Sequence, residues 1–130
     1  MKIGITGSRE GMSPNQEIEF VQSLEMVQDF EEFHHGDCVG ADAKAHDIVR
    51  AFFPHVKIVV HPPIKTYMRA FKEGDEFREP DDYIQRDQNI VDEVDFLFAT
   101  PLHDDEDRSG TWTTVRHARR SKTPFLVLKR

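Results

Sequence analysis

Three segments of this chain combine glycine with the residue types that hold anions. Gly7-Ser8-Arg9 directly follows an apolar run, Gly36-Asp37-Cys38-Val39-Gly40-Ala41-Asp42 lies in the first third, and Arg108-Ser109-Gly110-Thr111-Trp112 comes near the end. Glycine admits close backbone approach, and the unpaired N–H groups that open a helix favour negative charge. Ser8 is suited to donate to a phosphate and Arg9 to grip one through its forked guanidinium. A plain strand-exit turn with a solvent arginine explains the same tripeptide. In the second segment two glycines bracket a turn into a helix. There Asp37 or Asp42 would accept from ribose hydroxyls, unless Asp42 only caps the helix. In the third, Ser109, Gly110 and Thr111 would present bare N–H groups with Arg108 beside them. Trp112 would stack on a base, or else fill core or interface. Arg86 and Asn89, three apart, share one helical face, which serves a ligand or merely water.

No nucleophile–base pair or metal constellation stands out. His34 and His35 are strand neighbours and point to opposite faces, so joint metal ligation is not expected. His46, His55, His61, His103 and His117 show no i, i+4 pairing. Most of these five are expected at the surface, with His61 alone near the ligand edge. No Gly-Lys-Ser/Thr follows the glycines, which departs from the P-loop pattern. No metal and no resident cofactor are expected.

The elements that must position these residues alternate along the chain. Lys2 to Thr6 reads as a strand, and Ser13-Pro14-Asn15-Gln16 as a capping box opening a helix. Ile18, Val21, Leu24 and Met26-Val27 form its apolar stripe through about Asp29. Glu32 to His35 is a second strand. A helix from near Gly40 to Phe53 buries Ala41, Ala45, Ile48, Val49 and Phe52, and Pro54 ends it. Val56 to Val60 is the third strand, and residues 64–80 are an irregular stretch suited to a binding loop or lid. Asp81-Asp82 opens a helix with Tyr83, Ile84, Ile90 and Val91 inward. Val94 to Ala99 is a strand, Ser109 caps a last helix to about Ser121, and Pro124 to Leu128 closes the sheet. Alternation of this kind predicts an α/β, Rossmann-like three-layer sandwich with a mainly parallel five-stranded sheet. The glycine-rich segments would then leave the carboxyl ends of the strands, where such sheets bind ligands.

A chain of 130 residues forms one domain (1–130), and 38% hydrophobic residues with ten phenylalanines exclude a disordered one. The net charge of −7 argues against broad nucleic-acid binding but not against a small anion held by local arginines. The acidic runs Asp81-Asp82 and Asp104-Asp105-Glu106-Asp107 read first as solvated loop or helix-start residues, and second as chelators. No signal peptide and no membrane-length apolar run is apparent. With the solitary Cys38, which permits neither an intrachain disulfide nor a thiolate-rich zinc site, this predicts a cytoplasmic protein.

Together these residues resemble the SLOG superfamily, the Rossmann-like group containing the DprA and LOG proteins, and within it the small stand-alone DUF2493 and YspA-like type. The likeness rests on Gly7, Ser8 and Arg9, then on His35, Gly36, Gly40, Ala41 and Asp42. Arg86 with Asn89 and Gly110 with Thr111 complete it. It implies a site for a nucleotide or nucleotide derivative at the strand ends. Many such proteins look like sensors or binders, whereas the LOG branch consists of phosphoribohydrolases. Two departures matter: Asp37 replaces a common glycine, and Thr114 stands where the LOG pattern has a glutamate three residues after its Gly-Thr threonine. Loss of that carboxylate weakens the case for N-glycoside hydrolysis, whose oxocarbenium-like transition state wants negative charge nearby.

Two functions follow from different classes. The first is binding of a nucleotide or ADP-ribose-type small molecule without turnover. The alternative is an N-glycoside hydrolase, or a nucleoside deoxyribosyltransferase-like enzyme, with Asp37, Asp42 or Asp87 in place of the glutamate. The superfamily resemblance also implies a homo-oligomer, a dimer or larger, and a mainly oligomeric scaffold is a third reading.

Overall fold

The computed structural model describes residues 1–27 and 29–130. Its elements are β1 (Lys2–Gly7), α1 (Pro14–Met26), β2 (Glu32–His35), α2 (Ala41–Phe52), β3 (Lys57–Val60), β4 (Glu76–Phe77), α3 (Tyr83–Glu93), β5 (Phe96–Thr100), α4 (Gly110–Ser121) and β6 (Phe125–Val127). The strands run parallel in the order β4-β3-β2-β1-β5-β6. The chain therefore moves outward from β1 through β2 to the β3 flank, then crosses back to place β5 on the other side of β1. The order reverses at the β1/β5 pair, in register Ile5↔Phe98 and Gly7↔Thr100.

This is the α/β, Rossmann-like architecture that the alternation predicts, with six strands in place of five. The extra strand, β4, pairs Val59↔Glu76 and Val60↔Phe77 inside the stretch expected to be irregular. Its anchors are Asp75, which accepts from Ile58 N at 2.8 Å and from Arg50 Nη1 at 2.9 Å, and Gly74, where a Cβ would lie 2.4 Å from the Val60 side chain.

Alternating strand positions divide the core into two faces. Ile3, Ile5, Phe33, Ile58, Val60 and Phe98 pack on Phe20 and Leu24 of α1 and on Ala45, Ile48 and Val49 of α2. The Phe20 ring meets Phe98 edge-on at 5.4 Å, a favoured aromatic geometry. On the opposite face Leu97 packs on Ile90, Val91 and Ala118, and Ala99 on Trp112 and Val115. Helices on both faces make the three layers.

Three helical details correct the expectation. α1 ends at Met26 rather than near Asp29, and Gln28 lies outside the described residues. Its buried face is Gln16, Phe20 and Leu24, leaving Ile18 56% and Met26 83% exposed. The capping box forms as expected, with Gln16 N donating to Ser13 Oγ and Ser13 N to Gln16 Oε1. The buried Gln16 amide then donates at 3.0 Å to Pro101 O and to Leu128 O, which fixes the rotation of the helix. Phe52 and Ile84 are exposed, each in a terminal turn of its helix. No helix among the described residues is long and apolar enough to cross a membrane.

Candidate functional site

Glycines bring the first two loops together. At Gly7 a Cβ would lie 2.3 Å from Thr100 Oγ1 and 2.4 Å from Ala41 Cβ, so only hydrogen fits where β1, β5 and α2 converge. Ser8 N donates to Thr100 O, while Ser8 O accepts from Ala41 N and Gly11 N. Gly40 has φ +92°, in the region that favours glycine, and its Cβ would meet the Arg9 carbonyl oxygen at 2.4 Å. Gly40 and Ala41 therefore lock the second loop onto the first. On the other flank, Ser109 caps α4 by accepting from Trp112 N, and Ser109 N donates to Asp107 Oδ1 at 2.8 Å. The amides of Gly110 and Thr111 belong to the first turn, where a helix supplies no acceptor.

Between these pieces opens a cavity of about 540 Å³ at the carboxyl end of the β1/β5 pair. Of the residues the sequence singles out, Gly7, Ser8, Arg9, Asp42, Arg86, Asp87, Ser109, Gly110 and Thr111 line it. Glu10, Cys38, Tyr83, Leu102, His103 and Asp107 line it as well. A smaller cavity of about 240 Å³ adjoins it through the shared Tyr83, Asp87 and Gly110, and this is where Arg108 lies. The two arginines therefore lie on neighbouring cavities and not in one cradle.

The charges inside have distinct states. Arg9 is exposed, forms no ion pair with the described residues, and sits 5.0 Å over the Tyr83 ring. Arg86, by contrast, is buried and fully engaged. It donates to the carbonyls of Gly36 and His61, to Asp87 Oδ1 at 2.7 Å, and to Cys38 Sγ at 3.5 Å. Burial pushes the Asp42 carboxyl up to about 7, against the opposing pull of Arg86, and Asp42 Oδ2 accepts from Cys38 N at 3.2 Å. Burial also raises Asp87, although Arg86 and the Thr114 hydroxyl, 3.2 Å from Oδ2, favour its charged form. The Cys38 thiol is raised by burial and stays neutral. The cavity thus offers a free guanidinium, helix-start amides and two carboxyl groups that burial makes less acidic.

Several expected roles are corrected by geometry. Gly36 does not line the cavity; a Cβ there would lie 2.5 Å from the Arg86 guanidinium, so the glycine makes room for that side chain. Asp37 is buried away from the cavity, where it accepts from Arg69 Nε at 2.8 Å and Lys72 N at 2.9 Å. Its φ of +57° shows why glycine suits that position and how an aspartate tolerates it. Asp42 is not the cap of α2, since Gly40 occupies that place. Asn89 donates to Asp81 Oδ2 and accepts from Gln85, outside the cavity. Trp112 is buried on Ala99 and Val115, with Nε1 donating to His103 O at 3.0 Å, so it is core and presents no stacking face.

The histidines depart furthest from expectation. His34, His35, His46 and His61 are all buried, and among the later five it is His103, not His61, that lines the cavity. Only the backbone carbonyl of His61 points toward the site, through Arg86. His35 Nδ1 accepts from Asp37 N, so Nε2 carries the proton donated to His46 Nδ1 at 3.0 Å. Burial holds His35 well below the usual histidine range. These pairs join residues from different elements, so no short-range spacing announces them. His103 is likewise brought in only by the fold, which carries the loop after β5 to the strand end where α3 places Asp87, one of the three aspartates the sequence offers in place of the glutamate.

No protein-family model matches the chain, and no curated protein matches it. Among solved structures it is similar to the molybdenum cofactor binding protein from Rippkaea orientalis, with a TM-score of 0.71 and 17% identity, over 97% of this chain and 74% of that one. It is also similar to the structural-genomics target TM1055, with a TM-score of 0.62 and 15% identity, over 95% of this chain and 71% of that one. At these identities the likeness establishes a shared Rossmann-like fold.

Proposed function

We propose that this protein binds a nucleotide-like anionic small molecule in the cavity at the β1/β5 strand ends. The observation that carries the reading is Arg9, a cation without an ion-pair partner among the described residues, on a cavity that also exposes the first amides of α4. A volume of about 540 Å³ falls in the range of small-molecule sites. Arg9 and the Gly110 and Thr111 amides take phosphate, and a sugar lies toward Asp42. The resemblance to the SLOG superfamily supports the choice of ligand class. The neighbour named for molybdenum cofactor binding supports the broader idea that this fold holds small molecules.

Calorimetric titration with AMP, ADP and ADP-ribose tests this. Arg9→Ala should weaken binding of all three by about 1.5–3 kcal/mol, the scale of a charge-assisted hydrogen bond. Arg108→Ala should weaken only the ligand long enough to reach the adjoining cavity, ADP-ribose. Affinities unchanged by Arg9→Ala would remove the reading.

One observation favours the enzymatic alternative. Thr114, at the position of the missing glutamate, bonds to Asp87, so α3 supplies a carboxylate where α4 does not. Incubation with nucleoside monophosphates and chromatography for free base decides it. Release abolished by Asp87→Asn would establish the enzyme; no release from any of them would leave the binder.

A further inference from the structure

Apart from the cavity, two buried histidines and one half-buried glutamate converge on one point. His34 of β2, His61 just after β3 and Glu93, the last residue of α3, bring one ligand atom each to within 4.8 Å of one another. We propose that His34 Nδ1, His61 Nε2 and Glu93 Oε2 form a binding site for one divalent ion of the zinc class.

The distances suit such an ion. His34 Nδ1 lies 2.8 Å from His61 Nε2, and His61 Nε2 lies 3.6 Å from Glu93 Oε2. Tetrahedral bonds of about 2.0–2.1 Å place ligand atoms about 3.3 Å apart, between these two values. The ion replaces the proton that His61 Nε2 now directs at His34 Nδ1, and His61 carries that proton on Nδ1 instead, so both rings ligate as neutral imidazoles and no electron is transferred.

The surroundings are those of a ligand set. Glu32 Oε1 accepts from His34 Nε2 at 2.9 Å, which fixes the proton there and leaves Nδ1 as a bare lone pair aimed at His61. A carboxylate on the far nitrogen of a ligating imidazole orients the ring and raises its basicity. Arg78 holds Glu93 Oε1 from Nη2 at 2.8 Å and from Nε at 3.0 Å, and its Nε reaches Oε2 at 3.1 Å, so turning Oε2 to the ion gives up that last bond while Oε1 stays held. Glu32, Glu76 and Glu93 outnumber the neighbouring Arg78 and Lys57, leaving the locality net negative. Two histidines and one carboxylate leave a fourth position for water, and the 35% exposure of Glu93 opens it to solvent.

The test uses the whole chain freed of metal with a chelator, then titrated with Zn²⁺ by calorimetry and with Co²⁺ by visible absorption. One ion per chain and tetrahedral Co²⁺ bands are expected. Glu93→Gln, at a partly exposed helix end, should weaken uptake at least about tenfold, and Glu32→Gln about 10–100-fold, the usual effect of an outer-shell partner. His61→Gln should abolish stoichiometric uptake, and His46→Gln, in the other histidine pair, should preserve it. Zn²⁺ should raise the melting temperature of the wild type more than that of Glu93→Gln at the same concentration, a comparison that stands even if His61→Gln fails to fold. No saturable uptake by the wild type, or equal uptake by Glu93→Gln, would overturn the site.

Discussion

Replacing Asp42 by asparagine should make the protein more stable, and by an amount that grows with pH. The carboxyl group is 7% exposed and is raised by burial from 3.8 to about 7. The folded state therefore keeps its proton after the unfolded chain has released one. For an acid raised on folding, stability is highest below the unfolded value, falls as pH climbs between the two values, and levels off above the folded one. A tenfold weakening of an acid on folding is equivalent to about 1.4 kcal/mol. The wild type should thus lose up to about 4 kcal/mol between about pH 4 and pH 7 through this one group. Asparagine keeps the carbonyl that accepts from Cys38 N and carries no charge, so it mimics the protonated state. Urea unfolding of both proteins at regular intervals from about pH 4 to pH 8 gives the difference directly, because every other titrating group cancels. The advantage of Asp42→Asn should start near zero, rise to about 3–4 kcal/mol by pH 7 and stay there. A difference that does not change with pH would show that Asp42 ionises normally in the fold.

Gly36→Ala should cost about 3 kcal/mol by urea midpoint, because its Cβ would displace the Arg86 guanidinium from two buried carbonyls. A loss below about 0.5 kcal/mol would show that Arg86 repacks freely. Trp112→Phe removes the bond to His103 O and should cost about 1 kcal/mol while leaving nucleotide affinity unchanged. A tenfold loss of affinity would restore the stacking role that the buried ring argues against.

The fold was legible where local signals repeat. Ser13-Pro14-Asn15-Gln16, Asp82 and Ser109 each cap a helix as their residue types suggest, and the alternation of strand and helix is sufficient to set a parallel sheet. The site was legible in its backbone parts. Gly7-Ser8-Arg9 and Ser109-Gly110-Thr111 meet across the β1/β5 pair, as strand-end loops of a parallel sheet must. What stayed hidden depended on partners distant in the chain. Asp37 looks like a ribose acceptor until Arg69 and Lys72 are found on it, and Gly36 looks like a ligand contact until Arg86 fills its space. His34 and His61, 27 residues apart, meet only because β2 and β3 pair. β4, two residues long, is too short for any periodicity to mark.

In the proposed complex, phosphate settles on the amides of α4 beside Arg9. Amide-resolved NMR during titration with AMP tests it most directly. The Gly110 and Thr111 amides should shift furthest downfield and saturate together, and Arg9→Ala should suppress both. Saturable shifts confined to other surfaces, with those two amides unmoved, would contradict it.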